Sequence, residues 1–201
     1  MLMNLRIKHL ITTFISTVLV SACSVVPTTS GTASPKAAPG LLIPLNNPSF
    51  VADADGKLTG WVALEHNLGG AYTFIADPAF AYSNPSSARI RRHGDEAFGL
   101  LEQSVRVKPE WTNKTVRLSG YLKSDKADGA GGALVIQTRG DSGNIMEYDH
   151  MNSNRVKGTQ TWRNYSVTVK IPQGAYQLKI GVMLEDGGTL WADDLKLELL
   201  D

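Results

Sequence analysis

Residues 47–201 alternate apolar and polar side chains with a period of two in one segment after another. Successive side chains of a β-strand point to opposite faces, so this alternation is typical of half-buried strands. Clusters of Gly, Pro, Asn and Asp separate the segments, and no segment has the apolar periodicity of an amphipathic helix. The sequence therefore predicts an all-β domain.

Five rows of apolar or small residues define the predicted buried faces. They are Val116, Leu118, Gly120 and Leu122; Leu134 and Ile136; Tyr165, Val167, Val169 and Ile171; Tyr176, Leu178, Ile180, Val182 and Leu184; and Leu195, Leu197 and Leu199. About eight or nine short strands without intervening helices predict a two-sheet antiparallel β-sandwich of the jelly-roll type. An up-and-down barrel is the alternative, because periodicity does not distinguish closed from open sheets.

Two glycine-rich segments, residues 128–132 and 186–188, are interpreted as turns between strands. Glycine adopts the positive φ angles that tight connections need. Neither segment is followed by the Lys-Ser/Thr pair of a phosphate-binding loop, so we do not expect them to bind a nucleotide.

Residues 1–22 have the features of an export signal. Basic residues precede an apolar run over residues 10–20, and Ser21-Ala22 leads into Cys23. The run is shorter than the roughly 20 residues that a membrane span needs. This segment resembles the bacterial lipobox, which implies that residues 1–22 are a lipoprotein signal peptide and that Cys23 is acylated. An ordinary secretory signal with a chance cysteine is the alternative.

Acylation at Cys23, with palmitate among the attached chains, would anchor the protein to a membrane. Ser24 follows in place of Asp, and by resemblance to the sorting rule of enterobacterial lipoproteins this favours the outer membrane. Because Cys23 is the only cysteine, no disulfide is available to the exported domain. We therefore expect the core, with or without a structural metal, to hold the domain together.

Residues 23–46 are predicted to be a lipidated flexible tether. They are rich in Ser, Thr, Pro, Ala and Gly, with too few large apolar side chains to offset the entropy of ordering. An alternative for the stretch Leu41-Leu42-Ile43 is that it docks as an extra edge strand. Residues 47–201 then form the folded domain.

The charge balance argues against nucleic-acid binding. The chain has 20 Lys and Arg residues and 19 Asp and Glu residues, and removal of residues 1–22 leaves 18 basic against 19 acidic residues. A nucleic-acid binder usually has a basic excess or stripe. The short basic cluster at residues 89–92 is followed by Asp95 and Glu96, and we interpret it as a solvated strand end.

Several short segments occur in an order similar to that of one family of β-sandwich domains. They are NPSF at 47–50, GKLTGW at 56–61, SARI at 87–90, LEQSV at 101–105 and LWADDL at 190–195. This order resembles galactose-binding-like jelly rolls, specifically carbohydrate-binding modules of families 4 and 9. The resemblance implies the fold, whereas the same sandwich serves sugar binding, protein contact or structure alone.

The candidate ligand-binding residues are Gln137, Arg139, Tyr148, His150 and Arg155. Sugar recognition uses aromatic faces against C–H groups and planar polar groups against paired hydroxyls. Gln137 and Arg139 share one strand face, and Met146, Tyr148 and His150 share a face of the next, so antiparallel pairing would bring them together. The alternative is an ordinary polar sheet face on which His150 is merely solvated.

The four tryptophans have different expected roles. Trp61, Trp162 and Trp191 lie beside turns or at strand ends where the family packs such residues, so we expect them to pack. Trp111 follows Pro109 in a predicted loop and is a second candidate for stacking on a sugar ring.

The resemblance also implies a calcium ion that joins the two ends of the domain. Val51 stands where the family has a Glu ligand, which leaves Asp53 or Asp55, with Asp193 and Asp194, as candidate oxygen ligands. The alternative is that Asp193 and Asp194 satisfy backbone amides at the last turn.

Motifs of enzymes are absent from the sequence: it has no His-Glu-x-x-His and no Gly-x-Ser-x-Gly. A carboxylate pair for glycoside cleavage among Glu102, Glu147, Asp149 and Glu185 is the alternative. The sequence thus predicts a non-catalytic, lipid-anchored envelope protein that binds a glycan or other polyol weakly. A structural or protein-docking lipoprotein that contacts an envelope partner is the other hypothesis.

Overall fold

Antiparallel strands make up nearly all of the computed structural model, which describes residues 40–67, 69–83 and 85–201. The strands of this part are β1 (Leu41–Ile43), β2 (Val62–Glu65), β3 (Tyr72–Asp77), β4 (Ser87–Arg92), β5 (Phe98–Arg106), β6 (Thr115–Gly140), β7 (Ile145–Asp149), β8 (Val156–Lys170), β9 (Ala175–Glu185) and β10 (Thr189–Leu200). Short 3₁₀ helices cover Pro78–Phe80 and Pro109–Trp111. No helix in these ranges has the length and hydrophobicity that crossing a bilayer requires. The all-β prediction is confirmed.

Strand β6 belongs to two sheets that share one core. Its residues 115–125 pair with β10, and its residues 131–140 pair with β9. The first sheet has the order β3-β4-β10-β6-β8, and the second has the order β2-β5-β9-β6-β7. Neighbouring strands are mostly not consecutive in the chain, whereas an up-and-down barrel pairs consecutive strands. The structure therefore confirms the sandwich and excludes the barrel.

The glycine-rich residues 128–132 form no turn, contrary to the prediction. They lie inside β6, where the strand crosses from the first sheet to the second and its register against β8 shifts. Gly129 and Gly131 have φ angles of 53° and 79°, and a Cβ on Gly131 would lie 2.4 Å from the carbonyl oxygen of Val156. Glycine here allows a bend without a chain reversal. The two strands that the sequence predicted on either side of these glycines therefore form one continuous strand.

The inward faces of both sheets form a single hydrophobic core. Leu118 from the first half of β6 and Leu134 from its second half are both fully buried, as is Ile180 of β9. Tyr176 was predicted to continue the buried row of β9 but is 43% exposed, because it is only the second residue of that strand. The Tyr176 ring instead contacts Arg106, whose guanidinium lies 3.3 Å from the ring centroid.

Strand β1 lies within the segment that composition assigned to the tether. It pairs with the end of β10, and Ile43 is buried. The backbone N–H of Asn46 donates to Oε1 of Gln103 at 2.9 Å. The edge-strand alternative thus describes these residues, and the sandwich includes residues 41–46. Residues 1–39, with the predicted signal peptide and Cys23, lie outside the described residues.

Truncation of Leu134 tests the shared core. We expect Leu134→Ala to lower the free energy of unfolding by about 2–5 kcal/mol, because apolar contacts are lost and a cavity remains. Leu42→Ala is the control: this side chain is 63% exposed, and its loss should change the free energy by less than about 0.5 kcal/mol. Urea denaturation followed by tryptophan fluorescence measures both, and equal small losses would contradict the packing described.

Candidate functional site

A groove of about 450 Å³ runs along the outer face of the second sheet. Leu100, Val135 and Met183 form a small apolar cluster at its floor, separate from the main core, and Phe98 packs against them. These residues come from β5, β6 and β9, the three central strands of the sheet. The floor of the groove is thus apolar and closely packed, with these three side chains at most 9% exposed.

Gln137 lies at the centre of the polar part of the groove. It stands opposite Lys179 of β9 on one side and opposite Tyr148 of β7 on the other. Gln137 is 5% exposed, and its Oε1 atom has no hydrogen-bond partner among the described residues, whereas Tyr148 is 44% exposed. A buried amide oxygen without an internal partner is costly. The unpaired oxygen makes Gln137 a candidate contact for a ligand in the groove.

An ion pair and a glycine shape the floor beside Gln137. The carboxylate of Glu102 is buried and pairs with the ammonium of Lys179. Gly181 faces the groove between Glu102 and Val135 of the adjacent strands. A Cβ on Gly181 would lie 2.5 Å from the carbonyl oxygen of Leu101, so this position excludes a side chain and the floor stays open.

A β-bulge decides which residues of β7 reach the groove. The register of β7 against β6 shifts next to Arg139, so that Arg139 pairs with Ile145. Ile145 and Tyr148 line the groove, and Met146, which strict alternation placed on the face of Tyr148, does not. Arg139 donates from Nη1 to the carbonyl oxygen of Gly143 at 3.1 Å. Its Nε has no partner among the described residues.

His150 and Arg155 lie in a depression that joins the groove at Glu185. The ring of His150 stacks on Tyr148 with centroids 4.5 Å apart. Arg155 donates to Glu185 at 3.0 Å and so holds that carboxylate. Burial, followed by the charge of Arg155, lowers the pKa of His150, and its imidazole is neutral at neutral pH. Burial also raises the pKa of Tyr148, whose phenol keeps its proton.

The structure brings the five predicted ligand-binding residues to one side of the second sheet. Gln137, Arg139 and Tyr148 line the groove, and His150 and Arg155 line the adjoining depression. Sequence reasoning missed the apolar floor and the pair formed by Glu102 and Lys179. A signal for the floor was present: adjacent residues of a strand face opposite sides, so the apolar pairs Leu100-Leu101, Leu134-Val135 and Val182-Met183 each provide one outward apolar side chain.

The tryptophans contribute packing rather than a platform in the groove. Trp61 and Trp191 are buried, and Trp162 makes an edge contact with Tyr82 at 6.0 Å. Trp111 is 5% exposed, so the expectation of an exposed loop ring is wrong. The 3₁₀ helix at Pro109–Trp111 turns this ring onto the core.

The carboxylate of Asp193 is surrounded by donors from the protein. It accepts hydrogen bonds from the backbone N–H groups of Tyr82, Ser83 and Asp194 at 2.7 to 2.9 Å and from the hydroxyl of Ser83 at 3.1 Å. Asp53 similarly accepts from two backbone N–H groups of its own loop. In the part of the chain that the structure describes, no group of three or more His, Cys, Asp or Glu side chains could hold a metal ion. Asp193 thus satisfies backbone amides.

A calcium titration tests this interpretation of Asp193. We expect millimolar calcium to leave the melting temperature unchanged, because the oxygens of Asp193 already accept from N–H and O–H groups that a cation would displace. Asp193→Ala should lower the free energy of unfolding by about 1–3 kcal/mol, since buried donors lose their acceptor. An upward shift with calcium that disappears in Asp193→Ala would instead establish the predicted calcium site.

Two of the four candidate catalytic carboxylates line the groove, and each forms an ion pair with a basic side chain. Glu102 pairs with Lys179, and Glu185 pairs with Arg155. Asp149 accepts hydrogen bonds from backbone N–H groups, and Glu147 is exposed outside the groove. A glycosidase needs one carboxyl group that can protonate the leaving group and a second that attacks or activates water. Glu65 also lines the groove, and its two oxygens accept from the backbone N–H groups of Gly70 and Ala71.

Comparison with known proteins identifies solved structures of the same architecture. No protein-family model and no curated protein sequence matches this chain. The CBM22-1 xylan-binding domain from Paenibacillus barcinonensis Xyn10C matches with a TM-score of 0.57 and 20% identity over 82% of this chain and 99% of that chain. A CBM4 structure matches with a TM-score of 0.52 and 17% identity over 78% of this chain and 99% of that chain.

A third match is to part of a much longer protein. The enzymatically active domain of tailspike protein 4 from bacteriophage CBA120 has a TM-score of 0.60 and 14% identity; the match covers 77% of this chain but only 21% of that chain. At these identities the likeness concerns the fold. This chain has the jelly-roll β-sandwich fold of these carbohydrate-binding module structures, as the order of its sequence motifs implied.

Proposed function

We propose that this protein is a non-catalytic, lipid-anchored envelope protein that binds a glycan in the groove of its second sheet. The observation that carries the proposal is the buried Gln137, whose unpaired Oε1 lies beside the exposed ring of Tyr148. An unpaired acceptor next to an accessible aromatic face is what a sugar needs, because a sugar ring has hydroxyl donors at its edge and C–H groups on its face.

The groove supplies each part of sugar recognition. Tyr148 stacks on one sugar face, Gln137 accepts from a hydroxyl, and Arg139 donates from Nε. The apolar floor covers the C–H groups of a neighbouring unit. Because such a shallow site replaces hydroxyl contacts that water already made, we expect dissociation constants from about micromolar to about millimolar, or about −8 to −4 kcal/mol.

Replacement of Tyr148 tests the groove. Tyr148→Ala should weaken retention on a xylan affinity gel or a glycan array at least about tenfold, because stacking is lost. The unfolding free energy should fall by less than about 1 kcal/mol, since the side chain is 44% exposed and lies outside both hydrophobic clusters. Xylan is the first probe because one structural neighbour is a xylan-binding domain.

Tyr176→Ala is the matched control, because Tyr176 is 43% exposed and lies outside the groove. Its binding should equal that of the unaltered protein. Equal losses in the two variants, or unfolding of Tyr148→Ala, would contradict a site at Tyr148. A blank glycan screen with one stoichiometric cross-linked protein partner would favour the docking function instead.

The lipid anchor is proposed at Cys23 from the sequence alone. The only cysteine of the chain follows a short apolar run and small residues, and Ser24 favours the outer membrane. Each buried methylene contributes about 0.8 kcal/mol, so two or more acyl chains attach a protein firmly. The 16 residues from Ser24 to Pro39 would then separate the anchor from Gly40, where the described residues begin.

Phase partition in Triton X-114 tests this anchor. The protein expressed in a two-membrane bacterium should enter the detergent phase, and Cys23→Ser should remain unprocessed or enter the aqueous phase. Mass spectrometry of the released N-terminal peptide should show acyl chains on Cys23. A protein that is cleaved, unmodified and found in the aqueous phase would show an ordinary secretory signal.

A further inference from the structure

A second pocket lies on the outer face of the first sheet, on the side of the sandwich away from the groove. Trp191 and Thr189 of β10 form its floor. Trp191 stands opposite Arg89 of β4 and Lys123 of β6, and Thr189 stands opposite Arg91. The basic cluster that the sequence suggested to be a solvated strand end thus forms one wall of a pocket.

An exposed aromatic ring forms another wall. Phe80, at the end of the first 3₁₀ helix, is 48% exposed although its ring lies 5.3 Å from that of Trp191. The ammonium of Lys123 lies 5.6 Å from the centroid of Phe80 and 5.2 Å from that of Trp191. An exposed ring fixed against a buried one provides an apolar face at little entropic cost.

Asp77 is buried and holds the pocket in shape. Its Oδ2 accepts from Nη1 of Arg89 at 3.1 Å and from Nε1 of Trp191 at 2.9 Å. Its Oδ1 accepts from the backbone N–H of Ala79 at 3.1 Å, which fixes the helix that carries Phe80. This carboxylate therefore positions both walls and the floor.

The lining of the pocket contains more positive than negative side chains: Arg89, Arg91, Arg92 and Lys126 against Asp125 and Asp128. Asp125 accepts from the hydroxyl of Thr159 at 3.0 Å, and Asp128 accepts from a backbone N–H. Arg89 and Arg92 already form ion pairs, with Asp77 and Asp95, and their unpaired Nε atoms are buried.

The exposed Arg91 and Lys126 also line the pocket, and neither forms an ion pair with any residue that the structure describes. Because basic side chains outnumber acidic ones in the lining, an acidic ligand is complementary to the pocket.

We propose that this pocket binds an acidic saccharide, with a uronate carboxylate held by Arg91 and Lys126 and the sugar ring placed against Phe80. The aromatic wall selects a ring with a C–H face, and the spare guanidinium and ammonium groups select a carboxylate. This site is independent of the groove. A protein with both sites binds a neutral chain on one outer face and an acidic chain on the other.

Isothermal titration calorimetry with trigalacturonate tests the second site. The unaltered protein should bind it, and affinity should fall as salt is raised from 50 to 500 mM, because the Debye length is about 10 Å at 0.1 M and shortens as salt is added. Arg91→Ala with Lys126→Ala should weaken binding at least about tenfold, since two charge-assisted contacts are lost. Both side chains are exposed, so the fold is retained.

The matched control is Lys57→Ala with Lys170→Ala, which removes two exposed positive charges outside the pocket. It should change trigalacturonate binding by less than about twofold. Tyr148→Ala should bind trigalacturonate normally, and the Arg91 and Lys126 double variant should still bind xylan. A protein that binds trigalacturonate but not xylan would therefore contradict the proposed function of the groove and leave the second site supported.

Three results would overturn the proposal for the second pocket. The first is no binding of trigalacturonate by the unaltered protein. The second is equal weakening in the two double variants, which would mean unspecific attraction by net charge. The third is loss of trigalacturonate binding in Tyr148→Ala, which would place the acidic sugar in the groove.

Discussion

The structure depends on one strand that is shared by two sheets. Residues 115–125 of β6 hold the first sheet together and residues 131–140 hold the second, with glycines at the crossing. Because side chains alternate along a strand, the register of β6 determines both the core and the two outer faces. Asp125 reaches the pocket and Gln137 reaches the groove for this reason, whereas a shift of one residue would turn both side chains toward the core.

The buried rows were predictable because the period of two is a local property of the sequence. Leu118, Leu134 and Ile180 each stand where the alternation placed them. The crossing at residues 128–132 was not predictable, because glycine-rich composition is the same for a turn and for a bend within a strand. The bulge that brings Ile145 into the groove is equally hidden, since an extra residue leaves the local pattern almost unchanged.

The candidate site was predictable in the part that depends on neighbouring strands. Gln137 meets Tyr148 because β6 and β7 are joined by a short connection and pair antiparallel. Glu102 and Lys179 lie on β5 and β9, and their approach follows from a strand order that local patterns do not contain. The same limit applies to Asp193, whose hydrogen bonds to Tyr82 and Ser83 join residues more than 100 positions apart.

The central claim is that the buried amide of Gln137, with its unpaired oxygen, contacts the glycan. An NMR titration of the ¹⁵N-labelled protein with xylohexaose observes this amide directly, because the side-chain NH₂ group of Gln137 gives its own pair of signals. We predict that these signals and the backbone signals of Tyr148 and Lys179 shift with one common, saturable dissociation constant. Saturable shifts confined to residues outside the groove, or no shift at Gln137, would contradict the account.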